Sequence, residues 1–378
     1  MSQADTFDVA VIGAGIAGAS LAYRLAAHRS VLLLERESQP GYHSTGRSAA
    51  MFMESYGPPA VRALTRASRA FYSRPPEGFA EHPLLGARGA MYLARPDQQD
   101  LMARQQAELA STCPDLERLD RKQTMALVAC LRPELVHASL LDHGAMDIDV
   151  HTLHQGFLRG LRRHGGVLQA LAEVQGARRR GTLWELQLPD GSTVRARVVV
   201  NAAGAWADQV AALFGAPAIG LVPHRRTAFT FKPPQGMPVA HWPVVSSVDE
   251  NFYFKPDAGV LLGSPANADP TVPHDVVPEE LDVATGIHHI EAATTLTIPR
   301  PLRSWAGLRS FVPDGEMVIG WDGQCENFLW LAGQGGYGIQ SAPGASELAA
   351  SLVLGQPLPE ELARHGVDPS ALSPQRLR

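Results

Sequence analysis

One stretch near the N-terminus limits the fold more than any other: Asp8-Val-Ala-Val-Ile12, then Gly13-Ala-Gly15-Ile16-Ala17-Gly18, then an alanine-rich run to Ala27. An apolar run short enough for a buried strand meets a glycine turn and continues into a helical pattern. This is the strand-turn-helix context that a dinucleotide fingerprint requires. Gly13 is expected to turn the chain tightly, Gly15 to admit a pyrophosphate, and Gly18 to let helix and strand pack closely. The phosphates would sit at the start of the helix, at Ile16 and Ala17, where free N–H groups and the helix dipole favour an anion. A second apolar run, Val31-Leu-Leu-Leu34, ends in Glu35. That acid stands roughly 20 residues past the turn, where a carboxylate can accept both hydroxyls of an adenosine ribose. The alternative, a close-packed βαβ turn without ligand, explains the glycines but not the acid.

The chain has 378 residues, 45% hydrophobic and 19% charged, which suits two or three domains with sizeable cores. A formal charge of −5 gives no global field for nucleic acid or an anionic membrane. Arg178-Arg179-Arg180 reads as solvated hairpin surface. Cys113, Cys130 and Cys325 are far apart and form no metal or redox pair, which points to a reducing cytoplasm. No apolar run reaches the roughly 18 residues of a span, and the first residues carry no signal-peptide pattern, so a soluble protein is expected.

The segment from Arg36 through Pro40-Gly-Tyr-His-Ser44-Thr45-Gly-Arg47-Ser48-Ala-Ala50 is too rich in hydroxyls and glycine for a core element and reads as a loop along a polar cofactor. Here the chain resembles the D-amino-acid oxidase superfamily of flavoproteins, and within it the bacterial D-arginine dehydrogenases. The resemblance runs from Asp8 to Arg376. It implies an α/β, overall α+β, architecture: a Rossmann-type FAD-binding domain (1–82, 144–217, 306–378) interleaved with a mixed-sheet substrate domain (83–143, 218–305). It also implies that Glu35 and Arg36 hold the adenosine half of FAD, with residues 44–48 along the flavin and pyrophosphate.

The remaining pattern is compatible. Pro58 and Pro59 suit a helix start, with Ala60, Leu64, Ala67 and Phe71 on one face and Arg62, Arg66 and Arg69 on a solvated opposite face. Asp149 caps a helix carrying Val150, Leu153, Phe157 and Leu161. His151 and His154 on it are read as surface or packing residues rather than metal ligands. The apolar strand 198–201 runs into Ala203-Gly204-Ala-Trp206, whose small residues suit a second close approach to the cofactor. Residues 220–303 alternate strands and proline-rich turns, predicting a mixed, largely antiparallel sheet. Gln334-Gly335-Gly336-Tyr337-Gly338-Ile339-Gln340 follows a strand and precedes a helix, a second cluster of N–H donors suited to the O2 and N1 edge of a flavin ring.

From the resemblance, Arg226 and Arg309 clamp a substrate carboxylate, Tyr253 adds a neutral donor, the Gly336 carbonyl receives the amine, and Tyr56 sits on a loop covering the pocket. Two guanidinium forks fit a carboxylate in one plane, although a sheet-edge salt bridge would explain either arginine. The FAD is expected to be non-covalent, because no cysteine lies near residues 305–315, where sarcosine-oxidase relatives attach the ring. Departures fall at the side-chain pocket: Ala90 stands where the D-arginine dehydrogenases carry glutamate, and Met51 and Met53 where they carry histidine and threonine. Glu54, beside those positions, is the one nearby carboxylate that could replace the missing acid. The expected reaction is therefore FAD-dependent oxidative deamination of D-amino acids, with neutral apolar side chains preferred. Oxidation of secondary amines or a 2-hydroxy acid, or a flavin protein without turnover, are the alternatives, and the electron acceptor is open between oxygen and a quinone-like partner.

Overall fold

The computed structural model describes residues 5–113 and 115–378. The strand Thr6–Ile12 lies at the centre of an eight-stranded sheet, paired in parallel with Val31–Leu34 on one side and Thr193–Asn201 on the other. Its residues alternate between two cores: Val9 and Val11 face one side, packed with Leu21, Leu64, Phe157 and Leu348, while Ala10 and Ile12 face the other with Trp184, Phe328 and Trp330. Period-2 alternation on a strand buried on both faces gives the continuous apolar run seen in the sequence. The helices Ile16–Ala26, Pro59–Ser73, Val150–Arg163 and Gly338–Leu354 cover the first face. Asp149 caps the third of these by accepting from Thr152 N at 2.8 Å.

The second sheet has nine strands. Val222–Phe231 pairs along almost its whole length with Arg303–Phe311, and beyond it run Val260–Ser264, Tyr253–Asp257, Val244–Ser247, Ala90–Ala94, Ala138–Asp142 and Leu116–Asp120. All of these pairings are antiparallel except that of Val244–Ser247 with Ala90–Ala94, so the sheet is mixed and largely antiparallel as expected. A small three-stranded sheet joins Met51–Phe52, Met146–Ile148 and Leu85–Ala87. No helix among the described residues is long and apolar enough to cross a membrane.

Two expectations about arginines change. The face bearing Arg62, Arg66 and Arg69 is not solvated: Arg62 is buried and paired with Glu108 at 2.7 Å, and Arg69 is paired with Glu54 at 2.6 Å. Residues 99–109 and the loop before residue 59 fold back over it, and neither approach is visible in helical spacing. Arg178 and Arg180 do sit on a hairpin, but with Arg195 they surround the buried carboxylate of Glu185. The cluster is an ion-pair network rather than a free basic surface.

Candidate active site

The carboxyl ends of the central parallel strands open onto a cavity of about 510 Å3, within the usual span of about 300–1,000 Å3 for ligand sites. Gly13 leaves its strand at φ +99°, and a Cβ there would lie 2.5 Å from Ala202 O, so glycine is required both by the turn and by the space. Gly18 acts through packing alone: its Cβ would fall 1.8 Å from Gly13 O, and it does not line the cavity. Glu35 is buried at the end of its strand and accepts from Ala14 N and Glu37 N, each at 2.9 Å. Its carboxylate thus fixes the glycine turn from inside while still lining the cavity.

Sequence reasoning missed a second brace. His154 is buried, and its Nε2 lies 2.9 Å from Ala14 O. A carbonyl can only accept, so Nε2 carries the proton. Burial pulls this imidazole below its ordinary value, with His151 adding to the effect and the Ala14 carbonyl opposing it. Nothing in helical spacing marks it, because the contact joins residues 140 apart.

Gly15, Ile16, Ala17, Arg36, Ser44, Thr45, Arg47, Ser48, Ala203, Gly204 and Trp206 all line the cavity. Several of their side chains are already engaged. Thr45 Oγ1 accepts from Ile16 N at 3.0 Å, and Ser44 Oγ donates to Leu308 O at 2.6 Å. The Arg47 guanidinium is taken by Asp275, Val276 O and Ala306 O. Residues 44–48 are therefore stitched to the strand Arg303–Phe311 and offer the cavity mainly backbone. At the far end Arg36 lies over the Trp206 ring at 5.0 Å, beside His43. Gln209 and residues 172–175 were not foreseen there, since neither carries a motif.

The glycine loop 333–338 closes the cavity from the C-terminal side, pinned by Gly335 N donating to Ser310 O at 2.8 Å. Gln334 Nε2 is buried there without a hydrogen-bond partner. Gly335, Gly336, Gly338 and Ile339 face the cavity, whereas Tyr337 lies behind them, edge-on to Tyr56 with ring centroids 5.0 Å apart. Gln340 does not line this cavity but the smaller one beside it, and its amide donates to Tyr56 O and Thr65 Oγ1.

Arg226, Tyr253, Arg309 and Gly336 stand where this cavity meets a second one of about 110 Å3. In the antiparallel ladder Arg226 is opposite Gly307 and Arg309 opposite His224, so the two arginines share one face on a diagonal. Arg309 Nη1 donates to Tyr56 Oη at 3.0 Å and Arg226 Nε to Asn267 O at 2.6 Å, and neither has an acidic partner among the described residues. The salt-bridge alternative for them falls. Burial first, and the like charge of Arg309 second, pull Arg226 below its usual range. A Cβ on Gly336 would lie 2.8 Å from the Arg309 guanidinium, so the glycine lets the loop and the arginine meet.

The second cavity is walled by one face of the nine-stranded sheet: Ala90 and Tyr92, Val244 and Ser246, Tyr253 and Lys255, alternate residues of three neighbouring strands. Met51, Met53 and Tyr56 cover it, so the three expected pocket residues Met51, Met53 and Ala90 are together. Two corrections follow. Glu54 does not line this cavity, because Arg69 holds its carboxylate. The pocket is also not purely apolar, since Lys255 and the exposed Glu250 line it. Their places depend on strand register and a turn, which spacing alone did not supply.

Residues 8–352 match the family described as FAD dependent oxidoreductase, DAO. The chain belongs to this family. The oxidoreductase is similar to the mitochondrial dimethylglycine dehydrogenase of Rattus norvegicus, at 27% identity over 93% of this chain and 44% of that protein. It thus spans under half the length of that relative. In fold it is similar to glycine oxidase from Geobacillus kaustophilus, with a TM-score of 0.82, 21% identity and coverage of 96% and 99%. L-proline dehydrogenase from P. horikoshii gives a TM-score of 0.83 at 21% identity, covering 99% and 98%. The cofactor of the oxidoreductase is FAD. The glycine cradle at residue 13, the Gln334 amide with no partner among the described residues, and the volume of the first cavity fit that group.

Proposed function

We propose that this oxidoreductase dehydrogenates the C–N bond of an α-amino acid, with D-amino acids as the first substrate class, giving an imino acid that hydrolyses to a 2-oxo acid and ammonia. The observation that carries the reading is the pair Arg226 and Arg309, two guanidiniums on one sheet face at the junction of the two cavities, with no acidic partner among the described residues. An unpaired buried cation is costly, and a bound carboxylate relieves two at once. Bound FAD supplies the two-electron acceptor. In this reading Gly13, Gly15, Ile16, Ala17, Glu35, Arg36 and Trp206 hold the adenosine and pyrophosphate, and residues 333–339 the flavin edge. Gly18 and Gln340 support them from outside the first cavity. Arg226 and Arg309 orient the substrate carboxylate, Tyr56 and Tyr253 donate neutral hydrogen bonds beside them, and the Gly336 carbonyl accepts from the amine. Residues 1–82, 144–217 and 306–378 then serve the cofactor, and 83–143 with 218–305 the substrate.

Ala90, Met51 and Met53 make the side-chain wall accept neutral groups, and a cationic tail is disfavoured with Lys255 on that wall. This separates the protein in preference from the D-arginine dehydrogenases that its sequence resembles. A second reading, oxidation of N-substituted glycines, is supported by the name of the dimethylglycine dehydrogenase relative. The acceptor that reoxidises the flavin is proposed to be oxygen or a quinone-like partner. The cytoplasm is the proposed setting, which suits three buried free cysteines. An anaerobic screen of D-amino acids, L-amino acids and N-methylated glycines for bleaching of the flavin tests the reading. Bleaching by D-amino acids supports it, bleaching by N-methylglycines alone selects the second reading, and bleaching by none overturns both.

A further inference from the structure

Lys255 is only 6% exposed, yet it lines the cavity that would hold the substrate side chain. It follows Tyr253 by two residues on one strand, so both side chains leave the sheet on the same face. The position of the ammonium is fixed from the other wall: Nζ lies 3.9 Å from Met51 Sδ and 2.6 Å from Asp147 Oδ1. Asp147 stands directly opposite Met51 in the small sheet, which explains why the two contacts coincide.

Asp147 does not balance Lys255 alone. Its other oxygen, Oδ2, accepts from Arg88 Nε at 2.7 Å. One carboxylate is therefore divided between two cations, and the group of three carries a net charge of +1. An ammonium has three donors. Asp147 takes one, the Met51 thioether is a weak acceptor for a second, and Lys255 has no further hydrogen-bond acceptor among the described residues. Glu250, the other acid lining the cavity, is exposed at its rim, where solvent screens its charge.

We infer that Lys255 is the recognition group for a second anionic function on the substrate, so that the preferred substrate is a dicarboxylic amino acid. Arg226 and Arg309 take one carboxylate at the mouth of the side-chain cavity, and Lys255 takes the other on its wall. The second carboxylate can be carried on the carbon side chain, as in D-aspartate and D-glutamate, or on a substituent of the nitrogen, as in iminodiacetate. The small residues beside it on the same wall, Ala90 and Val244, leave room for either. This inference rests on the amino-acid reading above and deepens it.

The test is steady-state and anaerobic flavin-reduction kinetics of the holoenzyme with D-aspartate, D-glutamate and iminodiacetate, against the uncharged D-asparagine, D-glutamine and D-leucine, and against D-arginine. An acidic substrate is expected to exceed its amide in kcat/KM by about 10- to 100-fold, the range of a charge-assisted hydrogen bond. Preference for D-aspartate or D-glutamate places the second carboxylate on carbon, and preference for iminodiacetate places it on nitrogen. Lys255→Met should remove most of that ratio and Lys255→Arg should restore part of it, with FAD absorbance and melting temperature reporting folding. The native ratio decides the matter if the variants do not fold. Flavin reduction by D-glutamine or D-leucine with no advantage for any acid overturns this inference alone. A clear preference for D-arginine overturns it in favour of Glu250, and no reduction by any amine overturns the amino-acid reading beneath it.

Discussion

Arg226 and Arg309 lie diagonally across an antiparallel ladder, and the residue facing Arg226 is Gly307, which has no side chain to separate them. Neighbouring strands would not ordinarily hold two guanidiniums so placed without an acid between them. If the pair holds a substrate carboxylate, Arg226→Met or Arg309→Met should each raise KM by about 10- to 100-fold, the value of one charged hydrogen bond. FAD content should be unchanged in both. Loss of flavin or of the folded state in a purified variant would identify that arginine as structural.

Gly336 gives a second test of the same geometry. Gly336→Ala would place a methyl group 2.8 Å from the Arg309 guanidinium. The arginine must then move, and a shift of this kind is expected to cost about tenfold or more in kcat/KM. Full activity in this variant would show that Arg309 is not held against the loop during turnover.

His154 supplies a pH dependence. Its folded value is depressed, chiefly by burial, so the folded state prefers the neutral ring. The stability this contributes is complete above the unfolded value of about 6.5 and is lost as pH falls through the lower folded value. His154→Gln can still donate to Ala14 O but cannot take up a proton. The melting temperature of the native protein should therefore fall more between pH 8 and pH 5 than that of His154→Gln. His154→Ala leaves the Ala14 carbonyl without its donor and should destabilise by about 1–3 kcal/mol. Equal pH slopes for native and Gln proteins would exclude a role for the imidazole.

The cofactor should be released by acid. No cysteine lies in residues 305–315, and Cys113, Cys130 and Cys325 do not line either cavity. Precipitation with acid should leave the yellow colour in the supernatant. Colour retained in the pellet would mean a covalent link.

The dinucleotide half of the fold was readable because each constraint there is local. Gly13, Gly15, Gly18 and Glu35 are set by one turn and one strand end, and chain spacing reports both. The side-chain pocket was read only in part. Ala90, Met51 and Met53 were located through resemblance, but Lys255 reaches the same wall through the register of the strand Tyr253–Asp257 against Val244–Ser247, which no single-strand pattern contains. His154 and the Arg62–Glu108 pair were missed for the same reason: each joins elements far apart in sequence. Glu54 stayed open as an alternative because proximity in the chain to Met53 says nothing about Arg69, one helix away.

The most direct test of the central claim compares an α-amino acid with its own amide under anaerobic conditions, following flavin absorbance. An amino acid that bleaches the flavin should lose about 100-fold or more in reduction rate when its α-carboxylate is converted to a carboxamide, because both Arg226 and Arg309 lose their anion. Equal rates for the acid and the amide would contradict the carboxylate clamp on which the account rests.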